Sequence, residues 1–481
     1  MKLINPLIIF RILSTILLIA ALIFLPCIPV AIIYNESPDP FLWSSLISVS
    51  GYLLLRIATI KADMNKMNIR DGFLAVTLSW IIFGVVGGLP YIFGRCVPSF
   101  IDAFFETASG FTTTGATIIP DVEILPYSIL FWRSLTHWIG GLGIIVLVIL
   151  ILPSLKITAQ QLFSLESSLK EKIHPKTKAI GYRLMFAYVG LTVIEVLLLY
   201  MGDMTLFDSI CHSFGTIATG GFSTRNASIT NYSAYSQYII TIFMFLAGVS
   251  FVIYYYVVKL QFSKIRKNEE LWFYFGTVVI TGLIATGILF FNTDKSFELS
   301  FREGFFQVVS IITTTGFITT DYLFWPSAGI ILLFVLLFSG ASTGSSTGSI
   351  KMARHFLAVK NIRISFRKLL HQNVVTQVRL NDKLIPEKTS NTIMSFIVLY
   401  LFIFLIGTII MVLTGLDIET AASSAASALG NVGPGLGQVG PMFNYSGLPE
   451  FSKFILSLLM ITGRLEILTV FALFSRSFWT I

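Results

Sequence analysis

Charge is what this chain most conspicuously lacks. Only 12% of its 481 residues are charged, while 55% are hydrophobic; a soluble globular domain carries about 25% charged residues. With a mean hydropathy of +0.82, this composition excludes an ordinary soluble fold and predicts an all-α polytopic membrane protein. Cysteine is nearly missing as well. Cys27, Cys96 and Cys211 stand far apart with no metal-type spacing, which argues against a disulfide framework and against a zinc site. The first apolar stretch, "LIIFRILSTILLIAALIFLPCIPVAII", has no small-residue cleavage site and is too long to resemble a removed signal peptide. Clustered catalytic groups are also missing. His137 and His212 have no second ligand at helical spacing and read as packing or hydrogen-bonding residues. Asp102, Asp208 and Glu303 have no accompanying nucleophile or base, so no enzyme is expected. "GLGQVG" (435–440) matches G-x-G-x-x-G, but Pro434 and Pro441 flank it where a nucleotide fingerprint needs a strand before and a helix after.

What the chain has is apolar length. A helix of about 20 apolar residues crosses a bilayer, and ten such spans are predicted, over 7–33, 39–60, 72–93, 128–153, 181–201, 236–258, 271–292, 327–357, 391–413 and 454–478. The net charge of +8 is distributed unevenly between them. Segments 61–70, 154–183, 259–270 and 351–388 hold 3, 6, 4 and 9 Lys or Arg, 22 of the 33; segments 34–41, 93–131, 202–236, 292–327 and 414–454 hold 0, 1, 1, 2 and 1. This is the positive-inside pattern. It predicts a multi-pass protein of the cytoplasmic membrane with both termini in the cytoplasm. The basic surplus is thus a topology signal and not a nucleic-acid site; anionic lipid headgroups or a cytosolic partner are its expected contacts.

Four of the five predicted external segments repeat a theme: a short apolar helical run, then glycine and threonine. They read "DAFFETASGFTTTGA" (102–116), "DSICHSFGTIATGGF" (208–222), "EGFFQVVSIITTTGF" (303–317) and "TAASSAASALGNVGP" (420–434). Aligned on Gly115, Gly221, Gly316 and Gly433, they recur at separations of 106, 95 and 117 residues. Thirteen positions before each glycine stands Asp102, Asp208, Glu303 or Thr420, a residue type that suits a helix N-terminus, where it satisfies free amides. Each run is too short to span, so a re-entrant helix is predicted, and four helix–reentrant–helix units follow in one chain.

Non-helical backbone at membrane depth must be buried in protein or line a watery cavity. Four such stretches predict a pseudo-fourfold ring around a central axis, with the negative ends of the short helices aimed at it. Backbone carbonyls and threonine hydroxyls then remain to face an ion. Glycine permits the dihedrals that turn successive carbonyls inward, and rings of carbonyl oxygen can replace the hydration shell of potassium.

At these residues the sequence resembles the Trk/Ktr/HKT superfamily of potassium transporters over essentially its whole length. "TTTGA", "ATGGFST", "ITTTGF" and "GNVGPG" agree in order and kind with that family's four filter segments. The resemblance implies potassium uptake through a channel-like pore, two extra N-terminal spans (1–70), and four M1–P–M2 repeats. These would occupy 71–155, 156–266, 267–358 and 391–481, with a basic cytoplasmic segment at 359–390. It implies that Gly115, Gly221, Gly316 and Gly433 are the selectivity glycines. The carbonyls of Thr113, Thr114, Thr219, Gly220, Thr314, Thr315, Asn431 and Val432 would then be neighbouring potassium ligands. Thr-Gly in the second segment and Asn-Val in the fourth make the ring only roughly fourfold.

Within the eighth predicted span, "SGASTGSSTGSIK" (339–351) opens with eleven residues that are all Ser, Gly, Ala or Thr. The stretch is a poor helix former and would break the span, although a small-residue packing face is also compatible with it. The resemblance implies an intramembrane loop that obstructs the pore and moves to open it, built on Gly340, Thr343, Gly344, Ser345, Ser346, Thr347 and Gly348. Arg464, in "LLMITGRLEILTVF", is a charge inside an apolar span. Such a residue pairs structurally or faces water; Glu466, two residues on, is expected on a different helix face. The resemblance implies that Arg464 lines the conduction path as a barrier to cations. Lys351 would lie on the path or at the cytoplasmic membrane edge. The family further implies a homodimer docked on a cytosolic TrkA-type ring that binds nucleotides, with no organic cofactor on this chain. Passive conduction and coupling to H⁺ or Na⁺ are both open.

Overall fold

The computed structural model describes residues 4–150, 177–371, 377–381 and 383–480. Helices dominate it. The one ladder among the described residues is the hairpin pairing Arg379–Leu380 with Lys383–Leu384, and Ser339 and Ile350 form an isolated parallel bridge. The all-α expectation therefore needs one small β exception.

Helices occupy all ten predicted spans, but not all are continuous. Pro6–Ile33, Asp39–Ala58, Ile69–Phe93, Glu269–Asn292 and Glu387–Leu413 are each long and apolar enough to cross a membrane. Ala234–Ala247 and Phe251–Val258 form a sixth candidate bent by 95°. Residues 151–153 of the fourth predicted span lie outside the described residues. The eighth predicted span ends as a helix at Leu336 and resumes at Met352, which leaves the small-residue stretch as non-helical loop. The tenth breaks between Glu450–Arg464 and Ile467–Ala472, where Glu466 takes a φ of 65°.

A pattern of long helix, short helix, turn and helix recurs along the chain. It reads Ile69–Gly87, Phe100–Phe111, Tyr127–Leu150; Thr177–Tyr200, Leu206–Ile217, Ala234–Ala247; Glu269–Asn292, Phe297–Ile312, Ser327–Leu336; and Glu387–Leu413, Ile418–Gly430, Glu450–Arg464. The short helices are buried in protein; from Asp102 to Phe111, for example, every residue is buried. Two large apolar clusters enclose them. One gathers Phe24, Phe105, Phe111, Trp132, Tyr445 and Met460, the other Tyr274, Phe306, Ile312, Phe317, Tyr322 and Val432. The long helices instead display large apolar side chains on the surface, with Leu54 70%, Phe186 77%, Phe291 82% and Leu413 80% exposed. An apolar exterior of this extent is suited to lipid, not water.

Candidate functional site

The four short helices start on side-chain caps. Ser99, Thr205 and Asp417 accept the amides of Asp102, Asp208 and Thr420, and Ser296 accepts that of Leu299. Asp102, Asp208 and Thr420 therefore stand in the first turn, as their position before the glycines predicts. Glu303 does not. Its helix begins at Phe297, an extra turn earlier, and the Glu303 carboxylate sits in the helix interior, 2.5 Å from Lys295 Nζ. The caps themselves escaped the glycine alignment, although "SFID", "TLFD" and "DIET" carry the cap-x-x-N3 spacing that marks a helix start. Asp417 lies outside the membrane-spanning helices; the amide and hydroxyl of Thr420 hold its carboxyl below the usual carboxylate range.

At their far ends the four helices unwind alike. Thr113, Thr219, Thr314 and Asn431 take φ of 54, 56, 53 and 55°, and two residues on Gly115, Gly221, Gly316 and Gly433 take 82, 81, 77 and 105°. Between them, the amides of Thr114, Gly220, Thr315 and Val432 reach back to the carbonyls of Ser109, Gly215, Ser310 and Ser427 at 2.9, 2.8, 2.8 and 3.0 Å. This is the helix closure normally built on a left-handed glycine. Here threonine or asparagine holds that position, and β-branched residues adopt it only at a cost in strain.

The four turns close on one another in chain order. A β-carbon on Gly115 would collide with the carbonyl oxygen of Gly220, one on Gly221 with that of Thr315, one on Gly316 with that of Val432, and one on Gly433 with that of Thr114. The side chains of the turns bind protein groups. Thr112 pairs with Thr114 at 2.7 Å and Thr313 with Thr315 at 2.8 Å. The Thr219 hydroxyl donates to Ala218 O, and Thr314 Oγ1 accepts from the Gly348 amide at 2.8 Å. Asn431 Nδ2 donates to Thr114 Oγ1 and to Met460 O. Thr113 Oγ1 has no partner among the described residues. The backbone oxygens behave differently. Among the described residues, no donor binds the carbonyls of Thr113, Thr114, Thr219, Gly220, Thr314, Thr315, Asn431 or Val432, although all eight residues are buried. More than about 90% of buried backbone polar groups in proteins are paired, so eight unpaired acceptors at one place are an invitation to a cation.

The small-residue loop packs directly against this ring. Its Gly340 amide donates to Ile350 O, Ser342 N to Gly248 O, and Thr343 N to Glu270 Oε1 at 2.5 Å. Gly344, with a φ of 79°, offers its carbonyl to the Phe251 amide. Ser345 and Thr347 share a hydroxyl bond, and Ser346 Oγ donates to Ile217 O. A β-carbon on Gly348 would strike Gly430 O. Lys351 is buried, with Nζ on the carbonyl and hydroxyl of Thr347. Arg464, also buried, donates to Ser346 O at 2.5 Å and to Gly140 O at 2.9 Å. Glu466 ion-pairs with Arg354 at 2.6 Å. His137 bonds Gly110 O and His212 bonds Asp208 O and Ser223 Oγ, both as packing residues, and Gly437–Val439 is a single 3₁₀ turn.

Sequence reasoning missed a buried ion pair beside the ring, Glu106 with Arg133 at 2.8 Å. The available signal was their occurrence in apolar helices, where charges are rare and seldom idle.

A helical, lipid-suited fold enclosing a ring of unpaired oxygens suits a membrane transport protein. The chain belongs to the TrkH family of cation transport proteins, whose profile matches residues 45–480. It is 36% identical over 426 residues to the Trk system potassium uptake protein TrkH of Escherichia coli (strain K12), covering 87% of this chain and 88% of that one. It is 33% identical over 485 residues to its Halomonas elongata namesake, covering 98% of each. The crystal structure of the potassium transporter TrkH from Vibrio parahaemolyticus superposes with a TM-score of 0.89 at 30% identity, over 99% of this chain and 100% of that one.

Proposed function

We propose that this chain takes up potassium across the cytoplasmic membrane through a pore lined by the four turns. One observation carries the reading: eight buried carbonyl oxygens on four turns of matching backbone, with no donor among the described residues bound to any of them. Such oxygens can stand in for the hydration shell of a dehydrated monovalent cation, and the relatives' names support potassium as that ion. On this reading the four long–short–long units are M1–P–M2 repeats about the pore, following two N-terminal helices. Gly115, Gly221, Gly316 and Gly433 are the positions where no side chain fits. The 339–351 loop, pinned by Arg464 through Ser346, is the gate, and the Arg464 guanidinium adds a repulsive charge to its closed state. The word "system" in the relatives' names supports additional subunits; a cytosolic nucleotide-binding regulator and a second copy of this chain are the proposed partners, meeting the basic cytoplasmic segments.

The test is permeation in proteoliposomes. The wild-type protein should pass K⁺ and Rb⁺ in strong preference to Na⁺, and Gly115→Ser should lose most of that preference, because its side chain has to displace the Gly220 carbonyl. Selectivity unchanged in folded Gly115→Ser contradicts the filter reading.

A further inference from the structure

The four junctions between neighbouring turns are not built alike. Nearest the glycines, the second and third segments are joined by the Ile229 amide on Ile318 O and by Ser228 on the Ile318 amide. The third and fourth are joined by Tyr322 on Gly435 O, and the fourth and first by the Tyr445 amide on Thr117 O. These are contacts between neutral groups, as is the bond from Asn431 Nδ2 to Thr114 Oγ1; the fourth and first units also share an ion pair, Lys453 with Asp102 at 2.8 Å, but it lies thirteen residues before Gly115. At the junction of the first and second segments lies an ion pair with side chains 2% and 0% exposed: Arg133 Nε to Glu106 Oε1, 2.8 Å.

Both members of that pair reach the chain as it leaves the ring. Glu106 accepts the Ile118 amide at 2.9 Å and the Thr117 hydroxyl at 3.0 Å, three and two residues beyond Gly115. Arg133 donates to Ser223 O at 3.1 Å, two residues beyond Gly221, and to Thr117 Oγ1 at 3.3 Å. Its guanidinium lies 4.1 Å from the centre of the Phe222 ring. One planar fork thus grips the first segment through Glu106 and Thr117 and the second through Ser223 and Phe222. The charges also cancel: Arg133 alone would repel a cation in the ring, and Glu106 neutralises it at contact distance.

We propose that Glu106 and Arg133 are positioning residues that set the spacing of the first two segments, and hence cation discrimination at that junction. The inference rests on the filter reading above. Arg133→Lys separates its parts, because lysine keeps the charge and can still pair with Glu106. A single ammonium cannot hold Glu106, Ser223 and Thr117 together while lying flat on Phe222. Thr117→Val removes the shared hydroxyl with almost no change of shape.

The measurement is the reversal potential of the purified full-length protein under a K⁺/Na⁺ gradient, which does not depend on how many molecules have folded. Arg133→Lys should lower the K⁺/Na⁺ permeability ratio roughly tenfold, about the effect of one charge-assisted hydrogen bond. Thr117→Val should lower it less, in the same direction. Ratios within about twofold of wild type in both variants overturn the staple, and so does a change confined to yield or melting temperature. Gly115→Ser in the same assay keeps the two readings apart. If it abolishes discrimination while the staple variants do not, only this inference fails; if it too leaves discrimination intact, the filter reading fails.

Discussion

Thr113, Thr219 and Thr314 each hold a β-branched side chain on left-handed backbone, at a cost of order 1–3 kcal/mol apiece. Two kinds of neighbour sustain the strain. The next amide is fixed to a carbonyl five residues back, and the glycine beyond lets a foreign carbonyl approach to a distance no β-carbon would allow. The glycines are plain in the sequence, and so is their register. The strain at threonine is not, since nothing local to "TTTG" demands it. At the other end of the fourth short helix, Asp417 is exposed and caps the Thr420 amide at 3.0 Å. With its carboxyl lowered in the folded state, its contribution is fully present above the unfolded value of about 4 and is lost as pH falls through the lower folded value. Asp417→Ala should therefore destabilise the protein by about 1 kcal/mol at pH 7. Thermal unfolding of both proteins across pH checks this: the gap should narrow below about pH 4, and a gap that does not change with pH removes the capping account.

At the scale of elements, the informative feature is where helices stop. The loop from Leu337 to Lys351 could be anticipated from its Ser, Gly, Ala and Thr content, which leaves no apolar stripe to pack and little helix propensity. The 95° bend between Ala247 and Phe251 could not, because its cause lies elsewhere in the chain. There the Phe251 amide binds Gly344 O and Gly248 O accepts from Ser342, so the loop and the bend hold one another. Arg464 adds a charged anchor at Ser346 O and Gly140 O. Hydrogen bonds to charged groups are worth about 1.5–3 kcal/mol. Arg464→Gln should thus free the loop and raise K⁺ flux several-fold at equal protein density, as should a short deletion within 341–348. Tracer uptake into vesicles reads both; flux unchanged or reduced in folded variants sinks the gate.

At the scale of the whole molecule, the four turns belong to segments separated by 106, 95 and 117 residues yet share one ring. On the filter reading, a cation there would bind only the folded protein and so stabilise the native state by mass action, by about 2.7 kcal/mol at a hundred times its dissociation constant. Replacing Na⁺ with K⁺ at constant ionic strength should raise the melting temperature of the detergent-solubilised protein by several degrees, and Gly115→Ser should abolish the difference. Equal melting temperatures in the two salts argue against a potassium site in the ring.

Composition and periodicity by themselves determined a membrane-embedded helical chain, the positions of its ten apolar stretches and the fourfold recurrence of its Gly/Thr turns, because each follows from local hydropathy and backbone preference. Tertiary structure decided the remainder. It set the meeting of Glu106 with Arg133 across 27 residues, the seat of Arg464 on Ser346 across 118, the extra turn before Glu303, and the closing of four carbonyls on four glycines. Those contacts join residues far apart in the chain, and only the packing of whole helices brings them within reach.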